Sequence, residues 1–199
     1  MPGDFPLYGI DIETDTSVDG LDPLCSAIVA VAVDGEGVEA VLTGDEALLL
    51  AQLDALLASL TPGVLVTWNG ARFDLPFIAD RAALLGVPTG LRLQASTELC
   101  EQPLPGHTAA YLAGWHQHRH LDGYRLFRGD AGRALPVSCG LKNLARMVGL
   151  ETVEVDRTAI HALSPEELHE YVLSDARLAR QMVERRRISA LGAIDVVVS

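Results

Sequence analysis

A chain of 199 residues, 49% of them apolar, is long enough for one ordinary domain with a full core and too apolar to be disordered. Its formal charge of −12 excludes a general nucleic-acid coat, which gains affinity by replacing phosphate counterions with Lys and Arg. No apolar run reaches the length of a membrane span and no basic-then-apolar leader opens the sequence. The three cysteines, Cys25, Cys100 and Cys139, lack metal-type spacing, so reduced, buried thiols in a cytoplasmic protein are expected.

Leu7 to Glu13 reads as a partly buried strand. Ala27 to Val33 is a continuous Ala/Ile/Val run closed by Asp34-Gly35, and Val38 to Leu42 follows as a third strand, giving a meander. Asp45 to Leu60 is Ala/Leu-rich and helical, with start signals at Thr43 to Asp45 and Pro62-Gly63 beyond its end. Val64 to Trp68 is a buried strand. Phe77 to Leu85 is a helix with Pro76 in its first turn and Gly86 as its stop. Thr97 to Gly114 carries few regular signals and reads as a mobile connection. Ser138 to Val148 is helical, with Ser138 as cap and Gly149 as stop. Ser164-Pro165-Glu166-Glu167 marks the start of a long helix expected to run through Arg187. The apolar tail, Ile188 to Ser199, has no assigned place. The order of elements specifies an α/β domain with a mixed sheet flanked by helices, and residues 1–199 read as one domain.

Three short motifs carry the chemistry. Asp11 and Glu13 are two apart on a strand, so both leave the same face, with Ile10 and Ile12 on the other. Asp74 lies beyond the strand Val64 to Trp68, flanked by Phe73 and Pro76, where ligand sites of α/β sheets gather. Tyr171 and Asp175 are four apart on the long helix and stack on one face, whereas His169 lies off that face. Each motif alone has a plain structural reading: a strand end, a helix start, an amphipathic face. Taken together, four carboxylates aimed at a common point repel one another unless cations lie between them, which points to divalent metals and phosphodiester chemistry.

In this order, the motifs resemble those of the DEDD 3′–5′ exonuclease superfamily, on its ribonuclease H-like fold. Tyr171 places the resemblance in the DEDDy branch, because the histidine branch carries its His five residues before the last Asp, a position held here by Glu170. The middle motif, Asn69-x-x-x-Phe73-Asp74-x-Pro76, most resembles the proofreading exonuclease domain of family B DNA polymerases. The resemblance implies two ions, Mg²⁺ or Mn²⁺, roughly 3.5–4 Å apart. Asp11 would bridge them, Glu13 and Asp175 would hold the ion that binds the attacking water, and Asp74 would support the second. Tyr171 would orient the water, Thr14 would lie near the terminal sugar, and Asn69 would shape the strand groove. Phe73 would pack against the site or a terminal base. The product would be a nucleoside 5′-monophosphate. Single-stranded DNA or RNA 3′ ends are the implied substrates, DNA favoured, with a protein partner in replication or repair and no membrane. With no polymerase domain following, a free-standing enzyme or a member of a complex is expected. Two rivals stay open: a phosphodiesterase for short oligonucleotides or an RNA exonuclease, which would suit the acidic surface, and a catalytically silent nucleic-acid-binding scaffold.

Two further features stand apart. His116, His118 and His120 alternate, as zinc ligands on a strand could, but no cysteine or acid nearby completes a set of four. A polar loop or edge strand, or a lining for the substrate's path, is the alternative. Arg72, Arg81, Arg119, Arg125, Arg128, Arg133, Lys142 and Arg146 are candidates for phosphate contact, with Trp115, Tyr124 and Phe127 near several of them as stacking partners. Solvated surface arginines are the competing reading.

Overall fold

A computed structural model describes residues 5–99, 103–129, 131–134 and 136–197, and Cys100 lies outside them. A seven-stranded mixed sheet is its centre, ordered β3-β2-β1-β4-β7-β6-β5. The strands are β1 (Leu7–Thr14), β2 (Ile28–Gly35), β3 (Val38–Thr43), β4 (Val64–Thr67), β5 (Leu91–Leu99), β6 (Ala109–Trp115) and β7 (His118–Asp122). β1, β2 and β3 form the expected antiparallel meander, while β4 runs parallel to both β1 and β7.

Helices α1 (Glu46–Ser59) and α2 (Asp74–Leu85) cover one face, and α6 (Pro165–Glu184) covers the other. The shorter helices are α3 (Gly123–Gly129), α4 (Ala131–Ala134), α5 (Leu141–Met147) and α7 (Arg187–Ala190), with a 3-10 turn at Arg157–Ala162. Strand alternation sorts the layers. Tyr8, Ile10 and Ile12 of β1 pack into the cluster under α1 and α2, leaving Asp11 and Glu13 on the α6 side. In α1, Leu49, Leu53 and Leu57 repeat every four residues and have no exposed surface; each stabilises the fold by about 2 kcal/mol of transfer free energy. Asp45 caps α1 by accepting from Leu48 N–H, and Ser164 and Glu167 form a reciprocal capping box on α6.

Several expectations are corrected. Thr97 to Gly114 is not connection throughout: 97–99 and 109–114 belong to β5 and β6, which pair antiparallel and complete the sheet, while 100–102 lie outside the described residues. Of the histidine segment, His116 does lie in the turn after β6, but His118 and His120 are in neither a loop nor an edge strand. β7 lies inside the sheet between β4 and β6, and its polar rings are buried because each has a partner. His118 bonds to Gly63 N and Leu57 O, and His120 to Thr67 Oγ1 and Asp195. α2 starts at Asp74 rather than Phe77, which leaves Pro76 in its first turn where no amide donor is missed. α5 starts at Leu141 after Gly140, and Ser138 is not its cap. α6 stops at Glu184 rather than Arg187. Cys25 is exposed rather than buried. The tail returns to the sheet, where Asp195 donates its backbone N–H to His120 O and accepts from Ala113 N–H.

Candidate active site

The site is built where β1 outruns its parallel neighbour. Pairing with β4 ends at Gly9 opposite Val66, so Asp11 and Glu13 project beyond it toward α6. α6 reaches them because Gly9 has no side chain: a Cβ there would lie 2.0 Å from Ala176 O. That close approach of backbone to backbone seats the neighbouring Asp175, 2% exposed, and Tyr171, one turn earlier and fully buried, against β1. His169 and Glu170 face solvent on the outer side of the helix.

Asp74 arrives from the loop after β4. Asn69 in that loop has φ of 71°, a left-handed conformation that asparagine tolerates better than most residues. A buried carboxylate, Asp122, holds the loop in this shape. It accepts from Asn69 N–H at 2.9 Å, Ala71 N–H at 3.1 Å and Tyr124 N–H at 2.9 Å. Asp74 stands at the start of α2, where the backbone N–H groups of Asp74 itself and of Ile12 favour its charged form.

Asp11, Glu13, Thr14, Asn69, Phe73, Asp74 and Asp175 all line one cavity of about 630 Å³. Tyr171 lies behind it, its hydroxyl accepting from Arg157 Nε at 2.8 Å. Thr14 donates its hydroxyl to Gly20 O. Phe73 both lines the cavity and packs on Phe77, with ring centroids 5.4 Å apart. Asn69 Oδ1 and Asp175 Oδ1 are buried; among the described residues the first accepts no hydrogen bond and the second has only the ion pair with Lys142.

The electrostatics are adverse. Asp11 is pushed well above the usual carboxylate range by burial and then by Asp175, Asp74 and Glu13. Burial, then Asp175, lifts Glu13 to about 8. Burial lifts Asp74 to about 7, Asp122 adding to it and the two backbone bonds opposing. Asp175 is raised by burial against the pull of Lys142 and Arg157. Two cations supply counter-charge. Lys142 Nζ is 3.3 Å from Asp175 Oδ1 and 3.9 Å from the centre of the Tyr171 ring, and Arg157 Nη2 is 3.6 Å from Asp175 Oδ2. Among the described residues, no three of His, Cys, Asp or Glu already enclose a point as a metal would require. The donor set is nonetheless the hard, all-oxygen kind that divalent ions take, and Asp175 Oδ1, buried within it, meets Lys142 alone among the described residues.

Arg157, Asp122 and the tail residue Asp195 went unread in the sequence. Asp122 precedes Gly123 as any turn residue would, and Arg157 carries no local signal at all. The basic candidates divide by location. Arg81 is taken up by Glu46 and Pro23 O, and Arg146 pairs with Glu154. Arg119 lines neither this cavity nor the neighbouring groove, whereas Arg72, Arg125, Arg128 and Arg133 line that groove together. Of the aromatics, Trp115 and Phe127 are buried, and Tyr124 lines both spaces.

Comparison with known proteins gives three findings. A family described as "DNA polymerase family B, exonuclease domain" matches residues 28–128, a span that includes Asn69, Phe73 and Asp74 but not the outer acids or Tyr171. DNA polymerase 1 of Aeropyrum pernix is 31% identical over 157 residues, and the catalytic polypeptide of DNA polymerase epsilon from Schizosaccharomyces pombe is 31% identical over 137. These alignments cover 74% and 66% of this chain but only 14% and 6% of those polymerases. The structure of the family B DNA polymerase from Pyrobaculum calidifontis superposes on 91% of the chain and 24% of its own, at a TM-score of 0.73 and 22% identity. The expected ribonuclease H-like arrangement, a mixed sheet between helical layers, is thus present.

Proposed function

This chain belongs to the exonuclease-domain family of family B DNA polymerases, and from that premise we propose that it is a metal-dependent 3′–5′ exonuclease. The substrate is a single-stranded end, DNA by preference, and the product is a nucleoside 5′-monophosphate. One observation carries the reading: carboxylates from three distant segments meet on one cavity where burial and mutual repulsion disfavour their charge. Such an arrangement is stabilised when cations enter it.

Asp11, Glu13, Asp74 and Asp175 would hold two divalent ions, Mg²⁺ or Mn²⁺. Bound there, the ions would lower the pKa of a water and offset charge on the phosphate. The chain's own groups do the rest. Asn69 Oδ1, buried and unpaired, is left to accept from the terminal nucleotide. The Phe73 ring, braced by Phe77, presents a firm apolar wall to a sugar or base. The Thr14 hydroxyl is committed to Gly20 O, so the residue meets the sugar with its remaining lone pair or methyl group. Tyr171 orients the attacking water: its oxygen accepts from Arg157 Nε, which leaves the hydroxyl hydrogen to be donated. Arg157, whose side chain is 72% exposed, is placed to follow a phosphate out of the cavity.

We read residues 1–199 as one such domain, acting on cytoplasmic nucleic acid alone or with a replication or repair partner. No helix among the described residues is long and apolar enough to cross a membrane. A time course on 3′- and 5′-labelled DNA and RNA oligomers, with Mn²⁺ and with EDTA, tests the proposal. Stepwise loss from the 3′ end that vanishes in Asp11→Ala is expected. Equal release by Asp11→Ala refutes it.

A further inference from the structure

Resting on that reading, we propose that Asp195, in the tail, is a positioning residue for the loop between β4 and α2: it wedges β6 apart from β7, and the loop is held in the opening. A turn at His116 and Gln117 joins the two strands, and their pairing stops after Trp115↔His118 and Gly114↔Arg119. Bonded pairs alternate along an antiparallel ladder, so the next exchange of bonds falls at Ala113 and His120. The groups that would meet there both go to Asp195 instead. Ala113 N–H donates to Asp195 Oδ2 at 3.1 Å, and His120 O accepts from Asp195 N–H at 2.8 Å. One tail residue thus stands in a rung of the ladder and satisfies both sides of it.

Beyond the wedge, the two strands hold one residue of the loop between them. Ala71 N–H donates to Asp122 Oδ2 at the end of β7, and Ala71 O accepts from Tyr111 N–H of β6 at 2.8 Å. Ala71 is fully buried and lies between Asn69 and Phe73, which line the candidate catalytic cavity. The Asp195 carboxylate reaches the loop by a second route. It accepts from His120 Nδ1 at 2.7 Å, and with the imidazole neutral its Nε2 accepts from the Thr67 hydroxyl at 2.9 Å. Gly70 rests on that hydroxyl, since a Cβ there would lie 2.3 Å from Thr67 Oγ1. Hydroxyl, imidazole and carboxylate are all buried, so the set is a strut and not a nucleophile. Without the carboxylate, the acceptor that the ladder offers Ala113 N–H is His120 O. Taking it expels the tail and draws β6 off Ala71.

The test compares variants of the full chain by amide hydrogen exchange in EDTA, so the first result does not depend on turnover. Asp195→Ala is set against Leu53→Ala, a core truncation in α1, the helix packed on β2 and β3, which controls for lost stability. The Tyr111 and Ala71 amides are expected to exchange about tenfold or more faster in Asp195→Ala than in the control. With Mn²⁺, the KM for thymidine 5′-p-nitrophenyl phosphate rises about fivefold or more, because Asn69 and Phe73 meet the nucleotide. Mn²⁺ affinity stays within about threefold, because Asp11, Glu13 and Asp175 stand on β1 and α6. Asp195→Asn still offers the rung an acceptor for Ala113 N–H and a donor for His120, so exchange and KM stay within about twofold of wild type. If Asp195→Ala does not fold, Asp195→Ser is read in its place by the same criteria. Exchange at Tyr111 and Ala71 no faster than in the control, an equal rise of KM in the control, or an alanine-like Asp195→Asn each overturns the wedge. A wild type without Mn²⁺-dependent hydrolysis instead sinks the proposed activity, and the exchange comparison still decides the wedge.

Discussion

Replacing Glu13 by Gln should make the metal-free protein more stable while removing its activity. Burial, then Asp175, holds the Glu13 carboxyl at about 8 in the folded chain, against 4.5 for a free side chain. A folded pKa above the unfolded one contributes stability that is present below about 4.5 and is lost as pH climbs toward 8. At pH 7.5 three of those pH units have been crossed, which at about 1.36 kcal/mol each bounds the loss near 4 kcal/mol. Glu13 titrates together with Asp11, Asp74 and Asp175 and keeps some contact with solvent, so about 1–2 kcal/mol is the expected share. For a chain of this length that raises the melting temperature by about 3–6 °C. The assay is thermal unfolding of both proteins in EDTA at pH 7.5 and pH 5. A gain is expected at the higher pH and almost none at the lower, where Glu13 is itself protonated. Added Mn²⁺ should reverse the order, because only the wild type has the full set of carboxylates to bind it. A variant no more stable at pH 7.5, or equally advantaged at both pH values, would refute the argument that charge strain is built into the site.

Tyr171→Phe should slow turnover by about tenfold or more with Mn²⁺ affinity nearly unchanged, measured by single-turnover kinetics and metal titration. Collapse of metal affinity would give the residue a structural role instead. Asp122→Ala should destabilise the fold by about 2–4 kcal/mol in denaturant titration, since three backbone amides lose a charged acceptor, and should depress activity through the Asn69 loop. Asp195→Ala strands His120 and the Ala113 N–H, both buried. About 2–3 kcal/mol of lost stability and early proteolysis of the tail are expected.

The parts that were legible in the sequence rest on local chemistry. Asp45 and Ser164 announce their helices because a cap is satisfied within three residues. Alternation on β1 placed Ile10 and Ile12 on one side and the acids on the other because a strand's period is fixed. What escaped depends on distant partners. The β7 histidines are acceptable inside a sheet only through Leu57, Gly63, Thr67 and Asp195, all more than 50 residues away along the chain. Asp122 acts 53 residues from Asn69, and Arg157 acts on a tyrosine one helix later. The β5–β6 hairpin was missed for another reason. Its second half, Ala95 to Leu99, shifts register against β6, and the regular alternation of Leu91 to Gln94 is too short to announce a strand alone.

The bare contact at Gly9 gives the enzyme-like site an unusual failure mode. Where a helix rests on side chains, mutation of the cushion can be absorbed by neighbouring rotamers. At Gly9 the oxygen of Ala176 occupies the space a methyl group would need. The helix axis is therefore gauged against the strand by peptide atoms, whose dimensions do not vary. A single added carbon would tilt the helix as a rigid rod and part Asp175 from Asp11, with every acid still present. Such a protein would lose stability as well as activity, since the same helix carries part of the core, and no inventory of its acids would reveal why.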